Sequence, residues 1–184
     1  MFFLYILGSY IIGSIPFGLI IAFLGYDVDI REKGSKNIGM TNVWRTVGAK
    51  PALYTLLGDV LKGWVMVAAS PYDDITSIFW VSVAVLLGHC YSIFLQGEGG
   101  KGVATSLGVM LALSPLIALL SFGIWIFVRW SFKKSSLAAL VSMFFLLPFT
   151  LFINPEVLSI SLFIILLVVY RHKDNIQRLR EGGE

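Results

Sequence analysis

Residues 34–45 read Gly-Ser-Lys-Asn-Ile-Gly-Met-Thr-Asn-Val-Trp-Arg and concentrate polar chemistry in a chain that is 57% hydrophobic. Gly34 and Gly39 let a backbone approach a ligand closely. The hydroxyls of Ser35 and Thr41 and free backbone N–H groups donate to an anion, and Arg45 makes a bidentate fork on phosphate or carboxylate. A helix starting near Asn37 would set Asn37, Thr41 and Arg45 on one face at intervals of four, with Asn42 beside them. Such a face suits a phosphate. A polar connector between two membrane helices would have the same composition, so this stretch alone leaves both readings open.

Gly97-Glu98-Gly99-Gly100-Lys101-Gly102 leads straight into an apolar run. Free N–H groups and the positive end of a helix would face one spot there, which is the chemistry of an anion site. It is not a nucleoside-triphosphate loop of the usual kind, because Gly102 follows Lys101 where Ser or Thr would hold magnesium. A flexible inter-helix loop is the plainer alternative. Asp59 and Lys62 lie three apart inside an apolar run and so share a helical face. Buried charges in a bilayer need partners; these two either neutralise each other or Asp59 orients Lys62 toward a substrate. His89 reads as satisfying a carbonyl of another helix. His172 and Asn175 would share a face at a membrane exit if the helix continues, either as an interfacial anchor or as ligands for a substrate hydroxyl or phosphate.

The segments that must position these groups are hydrophobic. With 184 residues, 14% of them charged, and a mean hydropathy of +0.84, the chain reads as an all-α integral membrane protein forming a single domain over 1–184. Met1 to Leu24 carries no charge, lacks the basic region of a secretory signal and is expected to stay as the first span. The loop that follows holds Arg31, Lys33, Lys36, Arg45 and Lys50, which places it in the cytoplasm and the N-terminus outside. Further spans are expected at Pro51–Ser70 and Ile75–Leu95.

Val103 to Val128 is apolar throughout, and Ser114-Pro115 divides it into two short helices, because proline removes a donor and disfavours helix in the residue before it. The division puts Arg129, Lys133, Lys134 and the basic tail on the cytoplasmic side. With Leu137–Ile153 and Val157–Tyr170 the expectation is a compact bundle of about seven transmembrane helices, several short or broken, with the C-terminus cytoplasmic. Val103 to Leu113 spans about 16 Å as helix against a hydrocarbon core of roughly 30 Å, so the glycine loop must dip below the interface. Backbone there is tolerated only where protein or water covers it.

Composition also excludes classes of function. One cysteine, Cys90, permits no internal disulfide and is too few for a zinc or iron–sulfur site, so no metal and no cofactor are expected. The net charge of +3 is spread over the ends of apolar runs rather than grouped, which argues against nucleic acid and for membrane lipids as surroundings. Composition leaves a homodimer open.

Taken together, 34–45, Asp-Val-Leu-Lys-Gly (59–63), Gly-His (88–89), Gly-Gly-Lys-Gly-Val-Ala-Thr (99–105) and Arg-His-Lys-Asp-Asn-Ile (171–176) resemble the bacterial acyl-phosphate:glycerol-3-phosphate acyltransferases. The resemblance runs in order from Gly13-Ser14-Ile15-Pro16 to Arg180. It implies a seven-helix enzyme of the bacterial inner membrane, with its site facing the cytoplasm, that joins an acyl group from acyl phosphate to glycerol 3-phosphate without coenzyme A. It further implies Ser35, Arg45, Lys101 and His172 as catalytic residues. Asn37, Thr41, Asn42, Lys62, Gly99, Gly100, Gly102 and Asn175 would bind substrate. An acyl phosphate is already an activated anhydride, so positioning and charge stabilisation supply most of what such a reaction needs, with His172 as the available general base.

This chain departs from the family pattern at three places: Lys36 stands where glycine is usual, Tyr91-Ser92 replaces Phe-Pro, and Glu98 replaces a lysine. Lys36 matters most, since that position is one where positive φ is expected. The main rival reading is a transporter of a phosphorylated anion, favoured only by Asp59 and Lys62, because no internal repeat is visible and most polar motifs lie at span ends.

Overall fold

Apolar runs ended by proline, glycine and charge become helices, and the breaks between them carry the polar motifs. The computed structural model describes residues 1–182, which form α1 (Phe2–Ser14), α2 (Phe17–Tyr26), α3 (Met40–Thr46), α4 (Ala49–Ala68), α5 (Ile75–Cys90), α6 (Val103–Leu113), α7 (Pro115–Phe132), α8 (Ser135–Ile153), α9 (Leu158–Arg171) and α10 (Lys173–Arg180). The last two residues of the expected 1–184 domain lie outside the described residues. All seven stretches expected to span are helical.

The first of them is not one helix. Pro16 breaks it, and α1 and α2 meet at a bend of 42°. The break expected at Ser114-Pro115 is present: α6 stops at Leu113 and Pro115 opens α7 at its first position, where a missing N–H costs nothing. α9 and α10 are likewise bent by 59°, with His172 at the corner. The expected continuation of one helix from His172 to Asn175 is therefore replaced by a corner. Among the described residues, three helices are long and apolar enough to cross a membrane, and five if each bent pair counts as one span. α4 is not among them, with Asp59 and Lys62 inside it, and neither is α6, which has 11 residues.

Two helix crossings use glycine to bring backbones together. Gly13 on α1 lies against the carbonyl of Val85 on α5, and Gly88 on α5 against that of Tyr10 on α1. Gly63 on α4 meets the carbonyl of Thr105 on α6, and Gly108 on α6 that of Val60 on α4. Small residues at crossings are the usual way helices associate where lipid tails remove the hydrophobic drive. Between the two pairs sits an apolar core from α5, α6 and α9, including Val85, Leu86, Val109, Ile160, Ile164 and Val168. The outer faces carry exposed Phe127, Trp130, Phe144 and Phe152, a surface for lipid rather than water.

A side chain at the crossings would force the backbones apart. Gly108→Leu is expected to cost about 1–3 kcal/mol or more and to lower the melting temperature in detergent, whereas Gly8→Leu, which meets open space, should leave it within a degree or two. Equal melting of the two variants would contradict close approach at this crossing.

Candidate functional site

The 34–45 stretch folds around Asn42, which is buried. Its Oδ1 accepts from the Ser35 N–H at 2.9 Å, and its Nδ2 donates to the carbonyls of Ile30 and Lys33, each at 3.0 Å. One side chain thus pins the loop on three sides and presents Ser35, and Asn42 is itself part of the cavity wall. The helix begins at Met40 and not at Asn37, so Asn37 does not share a helical face with Thr41 and Arg45. Asn37 instead turns the chain by accepting from the Gly39 N–H at 3.0 Å. Lys36 has φ 58°, the left-handed backbone expected at that position, and a lysine there carries strain that glycine would not. Further out, Arg31 grips Asp29 with bonds of 2.6 and 3.0 Å, and this holds the Asp29 carboxyl below its usual range. A carboxylate depressed in the fold loses its link as pH falls through the lowered value, so this clip holds at neutral pH and opens only in acid.

The glycine loop is fastened from behind. Gly100 N–H donates to the His89 carbonyl at 3.0 Å, while Arg171 donates to the carbonyls of Gly99 and Gly100 at 3.0 and 3.1 Å and lies 4.9 Å over the Tyr91 ring. Gly99 and Gly100 therefore hold the loop to α5 and do not line the cavity, contrary to the phosphate cradle expected of them. Gly102 does line it, at φ 88°, and caps α6 so that the first turn at Val103 and Ala104 opens into the cavity. Ser92, where the family pattern has proline, donates its N–H to the Glu98 carbonyl at 3.1 Å and its hydroxyl to the Ser14 carbonyl at 2.6 Å. Proline can supply neither bond, so the departure is built into the loop.

Lys62 is buried with Asp59. Its ammonium sits 2.8 Å from Asp59 Oδ1, donates to the Ile15 carbonyl at 2.9 Å and faces the Phe17 ring at 5.7 Å. It does not line the cavity, so the expected substrate contact of Lys62 is replaced by a tie between α4 and the α1–α2 break. His89 corrects another expectation: its Nδ1 lies 3.5 Å from Asp59 Oδ1, and Asp59 and His89 together form part of the cavity wall.

These pieces surround a cavity of about 520 Å³. One end is polar, with Ser35, Thr41, Arg45, Lys101, His172 and Asn175. The other is mostly apolar and runs between α6, α7, α8 and α9 past Leu107, Met110, Phe122, Met143 and Ile164. Lys101 donates to Asn175 Oδ1 across the mouth. His172 Nδ1 lies 2.8 Å from the Val168 carbonyl, and a carbonyl only accepts, so Nδ1 carries the proton and a neutral ring keeps its lone pair on Nε2. A second chamber of about 250 Å³, polar and rich in cations, adjoins the first and shares Ser35, Asn37, Lys101, Asn175 and Arg178 with it.

Several lining residues had no signal in the sequence. Ser106, Ser121 and Ser135 are buried in the wall, and among the described residues their hydroxyls have no hydrogen-bond partner. Arg171 and Arg178 look like topology charges in the sequence, yet one fastens the glycine loop and the other lines both chambers. Only the convergence of four helices makes any of them visible.

A family model described as Glycerol-3-phosphate acyltransferase matches residues 3–182. The chain belongs to the glycerol-3-phosphate acyltransferase family. Among curated members, that of Geotalea daltonii is 42% identical over 97% of this chain and 94% of its own length, and that of Geobacter metallireducens is 44% identical over 96% and 93%. The fold is similar to the crystal structure of PlsY (YgiH), an integral membrane glycerol 3-phosphate acyltransferase, in its glycerol 3-phosphate form. That match has a TM-score of 0.93 and 36% identity, and covers 100% of this chain and 94% of the other. The lysophosphatidic acid form of the same protein gives 0.90 at 36% identity, covering 100% and 93%. As a glycerol-3-phosphate acyltransferase family member, the chain is a multi-pass integral membrane protein.

Lys62→Met leaves Asp59 buried without its cation and is expected to cost about 3–5 kcal/mol, while Asp59→Asn combined with Lys62→Met should recover most of that loss. Melting of the purified single and double variants reads this directly. A single variant as stable as the parent would show that the pair does not hold the bundle.

Proposed function

We propose that this chain transfers a fatty acyl group from acyl phosphate to glycerol 3-phosphate, giving 1-acyl-glycerol 3-phosphate (lysophosphatidic acid) and phosphate, the first acylation of phospholipid biosynthesis. The observation that carries this reading is the pair of chambers with a common polar wall. One substrate is small, charged and water-borne, and the other joins a phosphate to a lipid chain. A polar chamber and a cavity that turns from cationic to apolar match these two shapes, and the reaction belongs where they meet.

In this reading Arg45 and Lys101 stabilise phosphate charge, and the Ser35 hydroxyl donates to a phosphate oxygen. Asn37, Thr41, Gly102 and Asn175 position the substrates, with Asn42 acting through Ser35. His172 Nε2 accepts the proton of the attacking glycerol hydroxyl, and the departing phosphate takes it up in turn. The donor is a mixed anhydride, so neither coenzyme A, a covalent acyl-enzyme nor a metal is needed for the step.

The basic loops set the orientation: seven spans in one membrane-embedded domain of the bacterial inner membrane, with the N-terminus outside and both chambers opening to the cytoplasm. Membrane lipids surround the bundle. One chain supplies every group named, so catalysis requires no partner subunit. The transport reading weakens because its chief support, the Asp59–Lys62 pair, is tied to the α1–α2 break.

Purified protein in detergent, given palmitoyl phosphate and labelled glycerol 3-phosphate, should form lysophosphatidic acid, unaffected by EDTA. Palmitoyl coenzyme A should be inert. Product from the coenzyme A thioester instead, or counterflow of glycerol 3-phosphate in vesicles without any product, would sink the proposal. His172→Ala should lower kcat about a hundredfold or more with little change in either KM. Near-normal turnover at saturation would remove its role as base.

A further inference from the structure

The α7–α8 turn lies outside both chambers and gathers charge that the site does not use. α7 runs for 18 residues and α8 for 19, and each is long and apolar enough to cross a membrane, so the turn between them emerges at a membrane surface. Arg129 sits on the last turn of α7, and Lys133 and Lys134 are the two residues that separate the helices. None of the three lines either chamber. Among the described residues none of them has a carboxylate within salt-bridge distance, whereas Arg31 and Lys62 each have one. Two large aromatic side chains stand in the open beside them: Trp130 is 72% exposed and Phe132 59%. The Lys133 ammonium lies over the Trp130 ring at 6.0 Å. The charge is thus held at the depth where tryptophan rings sit, between acyl chains and headgroups. Lys133 also has left-handed backbone, φ 60°, and closes α7 by donating its N–H to the Arg129 carbonyl at 3.0 Å. Glycine is the residue that adopts this conformation at a helix end without strain. A lysine here costs some stability, so its presence points to a use for the charge. The negative end of α7 attracts a cation, and Arg129 on its last turn already supplies one. Two further lysines with exposed rings beside them call for an anion outside the protein.

We propose that this turn binds the headgroup phosphate of an anionic phospholipid, with Arg129, Lys133 and Lys134 around the phosphate and Trp130 and Phe132 against the start of its acyl chains. Complementarity sets the occupant. Three cations at interface depth attract a negative headgroup, each contributing about fivefold to its local concentration. The exposed rings fit the apolar chains directly beneath that headgroup, which a water-borne anion lacks. A zwitterionic lipid carries its own ammonium and gains little from the same charges. The site is separate from the acyltransferase chemistry and stands or falls apart from it.

Trp130 reports on the site directly. The protein is reconstituted in phosphatidylcholine vesicles in which a minor component, brominated near the headgroup, is either phosphatidylglycerol or phosphatidylcholine. Comparing the fluorescence lost with that lost by Trp130→Phe isolates Trp130 from the other tryptophans. Brominated phosphatidylglycerol should quench Trp130 at about a tenfold lower mole fraction than brominated phosphatidylcholine, and raised salt should narrow the gap. Lys133→Gly combined with Lys134→Gln should bring the two lipids within twofold of each other. Lys133→Gly alone should melt no lower than the parent, because the strain leaves with the side chain, and should still lose much of the preference. Equal quenching by the two brominated lipids in the unaltered protein overturns the proposal, and that arm needs no variant to fold. A phosphatidylglycerol preference that survives the loss of both lysines overturns it as well. Lysophosphatidic acid formation plays no part in the readout, so failure of the acyltransferase reading cannot be mistaken for failure of this site.

Discussion

The ammonium of Lys62 is the tie on which the bundle depends. It meets Asp59 on its own helix and the Ile15 carbonyl at the point where Pro16 breaks the first hydrophobic stretch. A cation in this setting would be prohibitive alone, and a helix break in a membrane would leave polar backbone without its helical partners. Each defect is satisfied by the other. Ser92 completes the arrangement by donating to the neighbouring Ser14 carbonyl, so α1, α4 and the loop after α5 are joined at one spot. Asp59, held there, orients toward His89 in the cavity wall.

The same logic recurs around the cavity. Polar groups that a membrane helix would otherwise hide are exposed at helix ends, and the ends converge: α3 begins at Met40, α6 at Val103, α8 at Ser135, and α9 turns into α10 at His172. Short and broken helices are therefore the means by which the site is made. A straight helix of full length buries its termini in the headgroups. Here the 11-residue α6 opens its first turn, Val103 and Ala104, into the cavity, where its dipole is screened less by water than at an exposed end.

Much of this was legible in the sequence. The helical segments followed from apolar runs, and the break at Ser114-Pro115 from the chemistry of proline. The polar interruptions of the apolar runs at 34–45 and 97–102 followed from residue type. Contact assignments fared less well. Asn42 lines the cavity and also braces the loop, a second role hidden in the sequence because a carboxamide satisfies backbone as readily as substrate. The carbonyls of Gly99 and Gly100 are engaged by Arg171, far off in the chain, and the Gly100 N–H by the His89 carbonyl. Lys62 was open between two roles, and only the proximity of Ile15 decides between them. Ser106, Ser121 and Ser135 carried no signal, since isolated serines in apolar helices are common and become informative only when a cavity forms beside them.

The α7–α8 hairpin walls the larger cavity with a single layer whose outer face is apolar and exposed. On α8, Ser142 and Met143 face inward while the next residue, Phe144, is 73% exposed to the lipid side. A chain lying in the cavity and a lipid tail outside are then neighbours across one helix. In the proposed reaction, that single layer would make donor selectivity a joint property of protein and membrane.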